Sequence, residues 1–420
     1  MSNGFKVGVF NKSTGAAPVD QSVTGVGFTP KALILICTAA TAEGSQSDLA
    51  LAIGLTAGAT QSESLTAWSD DNVSTSSTWQ AKLARALTIT AITSGVAAQC
   101  DLKSFDSDGF TLRWLTNDAN AYKIQYIAFG GSDITNAAVK FMTHQTGTGN
   151  KSFTGVGFQP DIIFLLSDNF STPGHFGNSG LSIGLGAGMS ATKRWATCIS
   201  ADTGATMANA LNAQTYQRTD SIYLSVNPSG SQEHRFDLVS MDSDGFTLNQ
   251  IANVSDVDFG VLCIKGGSWD LGSFAKTTGA APVDQSVTGL SFAPDGFILA
   301  SGKDVAASTS IVANAVNSMG AASGPTERAA TNVFMSDTSI PTAARSGIWT
   351  NRCFAGQDPN SAVNIADIKS LNSDGFTVTW TTNDTGNNPG ILWVAAKLAG
   401  PGESFPAGHL RTTPTPLLRM

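Results

Sequence analysis

The sequence predicts an all-β protein made of three tandem, homologous antiparallel β-sandwich domains that are jelly-roll-like. Three observations predict this class: a long segment recurs three times, apolar and hydroxyl-bearing residues alternate within it, and Gly-rich or Asp-Gly turns separate the strands. Helical periodicity is weak. Its best candidate, TWQAKLARALT from Thr78, lies where the other copies do not keep the pattern. Short strands with few helices favour a sandwich.

The repeated unit is recognised by two markers that occur in the same order each time. The first marker is FNKSTGAAPVDQSVTGVGFTPKALILI from Phe10, FMTHQTGTGNKSFTGVGFQPDIIFLL from Phe141 and FAKTTGAAPVDQSVTGLSFAPDGFILA from Phe274. The second marker is DLKSFDSDGFTLRW from Asp101, DLVSMDSDGFTLNQ from Asp237 and DIKSLNSDGFTVTW from Asp367. These markers predict domains at residues 1–134, 135–269 and 270–400, called repeats 1, 2 and 3, followed by a Pro-rich C-terminal arm at 401–420.

The strands have two kinds of pattern. In FTVTWTTND, from Phe376, apolar residues alternate with threonines, as expected of a sheet with one wet face. The runs ALILIC and DIIFLL are apolar at every position, which predicts strands buried on both faces. Trp114, Trp380 and Trp393 lie in the strand pattern and are predicted to be core residues.

Composition excludes several classes of function. Charged residues make up 13% of the chain, about half the usual fraction, and the net charge of −8 is not gathered in a run. Without a Lys/Arg cluster, binding to nucleic acid or to an anionic membrane surface is not expected. No apolar run approaches the ~20 residues that span a bilayer, so no membrane insertion is expected. The N-terminus shows no export-signal pattern.

The cysteines predict buried, reduced thiols. There are five of them, an odd number, and none forms a CxxC pair. Two lie inside the apolar runs LILIC and VLCIK. Disulfides and metal ligation are therefore the weaker interpretations.

The DSDG turns contain the most repeated carboxylates. One interpretation is a metal site, because part of a calcium-binding loop has a similar D-x-D-G spacing. Its ligands in repeats 1 and 2 would be Asp106, Asp108, Asp242 and Asp244. The competing interpretation is a tight hairpin turn in which glycine supplies a positive φ, and Asn372 in repeat 3 favours it. A third interpretation is that the paired carboxylates are those of a glycoside hydrolase. It is disfavoured because the turns offer no apolar pocket to raise the pKa of one carboxyl group.

Nucleophilic catalysis is not predicted. The chain has four histidines, none at equivalent positions of the repeats, and it contains no G-x-S-x-G, HExxH or phosphate-loop motif. We therefore expect a protein that is not an enzyme and that needs no cofactor.

Two further groups of residues are candidates for binding partners. Trp68 and Trp195 lie in the variable middle of their repeats, where an exposed indole could stack on a host-surface glycan. The arm at 401–420 has the composition of an extended segment that docks on a neighbouring subunit. Its predicted anchors are Phe405, Leu410, Leu417 and Leu418.

The combination of TGVGFQPDIIFLL with a later DSDGFTL resembles a repeat of structural proteins of tailed bacteriophages. This sequence departs from that pattern at Lys31, which follows Pro30 in place of Asp, and at Asn372. The resemblance implies a virion component assembled in the bacterial cytoplasm, either a capsid decoration or a tail protein. It would contact other virion proteins and form a homo-oligomer. The alternative is a receptor- or carbohydrate-binding fibre module for host attachment. The motifs do not separate head from tail.

The twelve residues TGAAPVDQSVTG occur unchanged in repeats 1 and 3, from Thr14 and from Thr278. Repeat 2 runs a shorter TGTGNKSFTG through the same place. Two interpretations stay open from the sequence: a recent duplication, or a contact shared by the two outer repeats.

Overall fold

The computed structural model describes residues 4–90, 95–169, 173–177, 180–203, 213–302, 311–337, 343–358 and 361–399. Within these ranges all regular structure is β-strand, which confirms the all-β class. The predicted arm at 401–420, with its four anchors, lies outside the described residues.

Each repeat contributes eleven described strands. Those of repeat 1 are β1 (Phe5–Asn11), β2 (Val19–Thr24), β3 (Pro30–Cys37), β4 (Gly44–Ser47), β5 (Leu49–Gly58), β6 (Gln61–Ser69), β7 (Thr78–Leu83), β8 (Leu87–Thr90), β9 (Val96–Asp106), β10 (Gly109–Thr116) and β11 (Lys123–Gly130). Those of repeat 2 are β12 (Asn136–Thr143), β13 (Gly149–Thr154), β14 (Ile162–Ser167), β15 (Gly174–Gly177), β16 (Leu181–Ser190), β17 (Lys193–Ala201), β18 (Ala213–Arg218), β19 (Tyr223–Val226), β20 (Gln232–Asp242), β21 (Gly245–Asn253) and β22 (Asp258–Lys265). Those of repeat 3 are β23 (Ser268–Ala275), β24 (Val283–Val287), β25 (Gly296–Ser301), β26 (Val312–Ala313), β27 (Ala315–Gly324), β28 (Glu327–Met335), β29 (Ala344–Trp349), β30 (Phe354–Asp358), β31 (Ser361–Asn372), β32 (Gly375–Thr382) and β33 (Gly390–Lys397).

The strands form six antiparallel sheets, three large and three small. In repeat 1 the large sheet has the order β1-β11-β3-β5-β6-β7-β15 and the small sheet has the order β2-β10-β9-β8. Repeats 2 and 3 have the corresponding orders, β12-β22-β14-β16-β17-β18-β26 with β13-β21-β20-β19, and β23-β33-β25-β27-β28-β29-β4 with β24-β32-β31-β30.

One strand of every large sheet comes from another repeat. Strand β15 of repeat 2 pairs with β7 of repeat 1, β26 of repeat 3 pairs with β18 of repeat 2, and β4 of repeat 1 pairs with β29 of repeat 3. The three exchanges form a closed cycle. Each exchanged strand covers what would otherwise be an unpaired sheet edge, which is a site of unwanted association in β proteins.

The apolar runs are buried on both faces, as their pattern predicts. In β3, the residues Leu33, Leu35 and Cys37 face a core that lies between the two sheets of repeat 1. The intervening residues, Ala32, Ile34 and Ile36, face a second core shared by the large sheets of all three repeats. Repeats 2 and 3 have corresponding cores of their own. The repeats are therefore joined by common hydrophobic burial as well as by backbone pairing.

The three junctions between repeats use different chemistry at one equivalent position. This position is Lys82 on β7, Gln217 on β18 and Ile348 on β29. Lys82 Nζ forms a buried ion pair with Asp168 of repeat 2, with both carboxylate oxygens 3.0 Å away. Gln217 accepts a hydrogen bond from the backbone N–H of Gly302 in repeat 3 at 2.8 Å. The junctions are thus ionic, polar and apolar, which favours one order of the repeats over the others.

A glycine in each large sheet permits close contact with the loop that enters the small sheet. A Cβ atom on Gly54 would lie 1.8 Å from the backbone oxygen of Ala86. Corresponding Cβ atoms on Gly186 and Gly320 would lie 1.8 and 2.0 Å from backbone oxygens. No side chain fits at these distances, so the spacing of the two sheets requires glycine at this position.

Replacing Gly54 by alanine is expected to lower the free energy of unfolding by about 2 to 3 kcal/mol, because the opposing backbone must move to admit the methyl group. Gly58→Ala is the matched control on the same strand, since its Cβ would meet only Gln61 Cβ at 3.9 Å. Urea unfolding of both variants measures the difference. Equal stability of Gly54→Ala and Gly58→Ala would contradict the close contact.

Candidate functional site

The DSDG turns hold the Gly-x-Gly segment that precedes the first apolar strand. The carboxylate of Asp108 accepts hydrogen bonds from the backbone N–H groups of Gly25 at 3.1 Å and Gly27 at 2.6 Å. Asp244 makes the same pair of bonds with Gly155 and Gly157. These bonds, led by the one from Gly157, lower the pKa of Asp244. The two sequence markers of a repeat are therefore in direct contact.

The first aspartate of each turn fixes its own hairpin. Asp106 accepts from the hydroxyls of Ser104 and Thr111, both at 2.7 Å, and Asp242 has the same two partners in repeat 2. Asn372 forms the equivalent bonds in repeat 3, accepting from Ser370 and donating to Thr377. An amide replaces the carboxylate here without loss of either bond. The turn interpretation accounts for all of these contacts. Among the described residues, no group of three or more His, Cys, Asp or Glu side chains could hold a metal ion.

The twelve-residue repeat is held by a polar network that repeats 1 and 3 share. Buried Lys12 donates to Asn117 Oδ1 and to the backbone oxygens of Ser13 and Asp118. Gln21 Oε1 accepts from Ser13 N–H and from the Trp114 indole. In repeat 3 the same bonds are made by Lys276, Asn383, Gln285 and Trp380. Repeat 2 has His144 in place of this lysine. Internal hydrogen bonding thus gives the twelve residues a role within each outer repeat.

The cysteines and the strand tryptophans lie where the sequence predicts. All five cysteines are free and buried. Burial raises the pKa of Cys37 to about 12, which keeps the thiol protonated and unreactive. Trp114, Trp380 and Trp393 belong to the buried hydrophobic residues.

Repeat 2 contains a buried serine–histidine pair that sequence reasoning missed. Ser225 Oγ lies 2.7 Å from His234 Nδ1, and His234 Nε2 lies 3.0 Å from the backbone oxygen of Ser255. Both side chains are buried, and His144 packs against His234 with ring centroids 5.3 Å apart. Burial lowers the pKa of His234. Because the pair is enclosed by aromatic rings, no substrate can reach it in this arrangement.

Trp195 has a structural role in place of the predicted glycan contact. Its side chain is fully buried, and its indole Nε1 donates to the backbone oxygen of Trp393 at 3.0 Å. It thereby joins repeat 2 to repeat 3. An indole without an exposed face cannot stack on a sugar.

Trp68 lies on β6 and is only 2% exposed, so the prediction of an exposed indole is wrong here as well. Unlike Trp195, it borders a cavity of about 310 Å³ in repeat 1. We call it the Trp68 cavity. Most of its polar lining comes from two places, the exchanged strand β4 with the residue that follows it, and the loop connecting β10 to β11. The lining side chains that matter below are Gln46, Asp48, Trp68, Asp118, Asn120 and Tyr122.

Hydrogen bonds fix the loop that carries Asp118. The Tyr122 hydroxyl and Asn120 Nδ2 donate to Asp118 Oδ2 at 2.7 and 2.6 Å. Lys12 Nζ lies 2.9 Å from Asp118 Oδ1. Burial raises the pKa of Asp118, but the bonds from Tyr122, Lys12 and Asn120 outweigh burial, so this pKa lies below its ordinary value. The cavity therefore has an ionised carboxylate in a fixed position.

The opposite side of the cavity depends on strand exchange. Gln46 lies on β4 and donates to the backbone oxygen of Thr38 at 2.9 Å, with Ser346 Oγ of repeat 3 at 3.4 Å. Asp48 accepts from the backbone N–H of Asp71 at 2.8 Å, and burial raises the pKa of Asp48. Repeat 3 thus helps to position one side of a cavity in repeat 1.

No protein-family model matches the chain, and a search of curated proteins finds no match. Within the part of the chain that the structure describes, no helix is both long and apolar enough to cross a membrane.

Proposed function

We propose that this chain is a non-catalytic structural protein of a bacteriophage particle, exposed as a capsid decoration or as a component of the tail. The observation that carries the proposal is the closed cycle of exchanged strands around one shared core. Such a body resembles a trimer fused into one chain. It suits a building block that must keep its shape, and the motif resemblance to phage structural proteins supplies the setting.

We further propose that each repeat is one antiparallel β-sandwich, with the boundaries 1–134, 135–269 and 270–400. In support, each repeat has a large and a small sheet with a hydrophobic core between them. A particle protein with three similar faces can contact three neighbouring subunits in similar ways. The arm at 401–420 provides an additional contact to other virion proteins or to a second copy of this chain.

Mass spectrometry of purified particles tests this role. Particles from a culture that produces the phage are separated on a density gradient, and peptides of this chain are expected in the particle fraction at a fixed ratio to the major coat protein. A chain shortened to residues 1–400 is the matched variant, since it keeps all three repeats and loses only the arm. Abundant chain in the lysate but none in the particles would refute the proposal.

A second candidate function is glycan binding during host attachment. Its support is Trp68, which borders a cavity, because Trp195 is fully buried. This candidate is compatible with a place on the particle surface, and the chemistry of the Trp68 cavity favours it.

A further inference from the structure

We propose that the Trp68 cavity binds a neutral, hydroxyl-rich ligand the size of a single sugar residue, such as a terminal hexose or N-acetylhexosamine. The inference develops the glycan-binding alternative and does not depend on the particle role. The volume of the Trp68 cavity, about 310 Å³, lies at the lower end of the range for small-molecule sites.

The first argument is the charge of the lining. Among the described residues around the cavity there is no Lys, Arg or His, and the ionisable acids are Asp48, Asp118 and Tyr122. An anionic ligand would find no cation on the lining and would lie beside the Asp118 carboxylate. A hydroxyl-rich ligand, in contrast, donates to carboxylate and amide oxygens in hydrogen bonds strengthened by the charge of the acceptor. Lys12 already balances the charge of Asp118 from behind, which removes the need for a cationic ligand.

The second argument is an unsatisfied donor. Trp68 is 2% exposed, and its indole Nε1 has no hydrogen-bond acceptor among the described residues. Buried donors in proteins are almost always paired. Trp68 borders the cavity, so a small shift of the lining would uncover the buried Nε1 and let an oxygen atom of the ligand serve as its partner. The ring of Tyr122, which is half-buried, also supplies apolar surface for the C–H groups of a sugar.

The third argument is a comparison with repeat 3, where the counterparts of two lining residues border a much smaller space. The strand pair Ala50 and Trp68 corresponds to Val316 and Phe334 in repeat 3. The backbone N–H of Lys12 donates to the backbone oxygen of Tyr122. The backbone N–H of Lys276 donates to that of Pro389 in the same way. Val316 and Pro389 line a space of only about 10 Å³. The two repeats share this framework, and repeat 1 has the smaller Ala50 where repeat 3 has Val316. This difference in side-chain size contributes to the larger space in repeat 1.

The test uses the full chain and saturation-transfer NMR with separate probes. The neutral probes are glucose, galactose, mannose and N-acetylglucosamine, the anionic probe is glucuronate, and the cationic probe is glucosamine. We expect at least one neutral sugar to bind at millimolar concentration and glucuronate not to bind. The inference is overturned if no neutral sugar binds, or if only a charged probe does.

Two variants copy residues of repeat 3 and locate the binding. Ala50→Val is expected to weaken binding because its two additional methyl groups narrow the cavity. Trp68→Phe keeps an aromatic ring but removes the donor, so we expect about tenfold weaker binding, the loss that corresponds to one hydrogen bond. The control, Val316→Ala, changes only the equivalent position in repeat 3 and is expected to leave binding unchanged.

Thermal melts of the variants show whether each one is folded. Unchanged binding in folded Ala50→Val would overturn the assignment to this cavity. If a variant does not fold, the chemical-shift change of the Trp68 indole N–H when sugar is added to the unaltered chain decides the same question. Failure of this test leaves the particle role standing, because that role is measured by mass spectrometry of virions.

Discussion

Replacing Lys82 by methionine is expected to lower the free energy of unfolding by about 3 to 5 kcal/mol, because removing one partner of a buried ion pair leaves the other charge in a poorly solvated site. Lys82 Nζ contacts the carboxylate of Asp168 and also donates to the backbone oxygen of Asp258 at 2.7 Å. Both partners belong to repeat 2. The variant therefore weakens the junction between repeats 1 and 2, and urea unfolding followed by tryptophan fluorescence measures the loss.

The double variant Lys82→Met/Asp168→Asn is the matched test of this explanation. Removing both charges leaves no unpaired ion, so the double variant is expected to recover most of the stability lost in Lys82→Met. Lys103, whose ion pair with Asp20 is exposed, serves as the surface control, and Lys103→Met should not change the unfolding midpoint measurably. A double variant as unstable as Lys82→Met would show that the ion pair is not the cause.

Replacing Glu63 by glutamine is expected to stabilise the protein at alkaline pH and to have little effect near pH 4. Glu63 is buried next to this ion pair, and its Oε1 has no hydrogen-bond partner among the described residues. Burial raises its pKa from 4.5 to about 8, and the nearby charge of Lys82 opposes the rise. The folded protein therefore holds a proton that the unfolded chain releases above its ordinary pKa.

The sign of the effect follows from this difference in bound protons. Below pH 4.5 the carboxyl group is protonated in both states, and the folded protein loses nothing. As the pH rises from 4.5 towards about 8, ionisation of the unfolded chain lowers the stability of the unaltered protein, and the loss stops growing above the folded pKa. The advantage of Glu63→Gln should reach up to about 5 kcal/mol above pH 8.

Unfolding midpoints of both proteins between pH 4 and pH 9 check this prediction. A difference that does not depend on pH would contradict it, since a change in packing alone has no reason to follow the titration of one group. Glu327→Gln is the control, because the side chain of Glu327 is 37% exposed and pairs with Lys6 at the junction between repeats 1 and 3.

Part of the candidate site could be predicted from the sequence. Trp68 was identified because it lies in the variable middle of its repeat, and Trp195 was identified by the same criterion although it is buried between repeats. Asp118, Asn120 and Tyr122 were missed. The available signal was the TND turn shared by repeats 1 and 3, combined with a lysine in the first marker of both. This signal points to the site only when Lys12 is known to contact Asp118, and the sequence does not show that contact.

The segment from Thr78 illustrates the limit of local patterns. Its composition offered the best helical candidate in the chain, yet residues Thr78–Leu83 form strand β7. Pairing with β6 on one side and with the exchanged strand β15 on the other supplies backbone hydrogen bonds that outweigh a weak local preference. It also buries Lys82 at a junction, a place where no local pattern would put a lysine.

The sequence by itself determined the features that depend on neighbouring residues. These are the three repeats, the strand periodicities, the Asp-Gly turns and the burial of runs such as ALILIC on both faces. Only the tertiary structure decided that the repeats exchange strands in a closed cycle, that Lys82 and Asp168 meet, and that Trp68 borders an open cavity whereas Trp195 does not. The physical reason is that alternation and turn formation act over a few residues. The contacts that close the cycle join segments from different repeats, and their energies depend on burial and geometry that arise only when all three repeats have packed together.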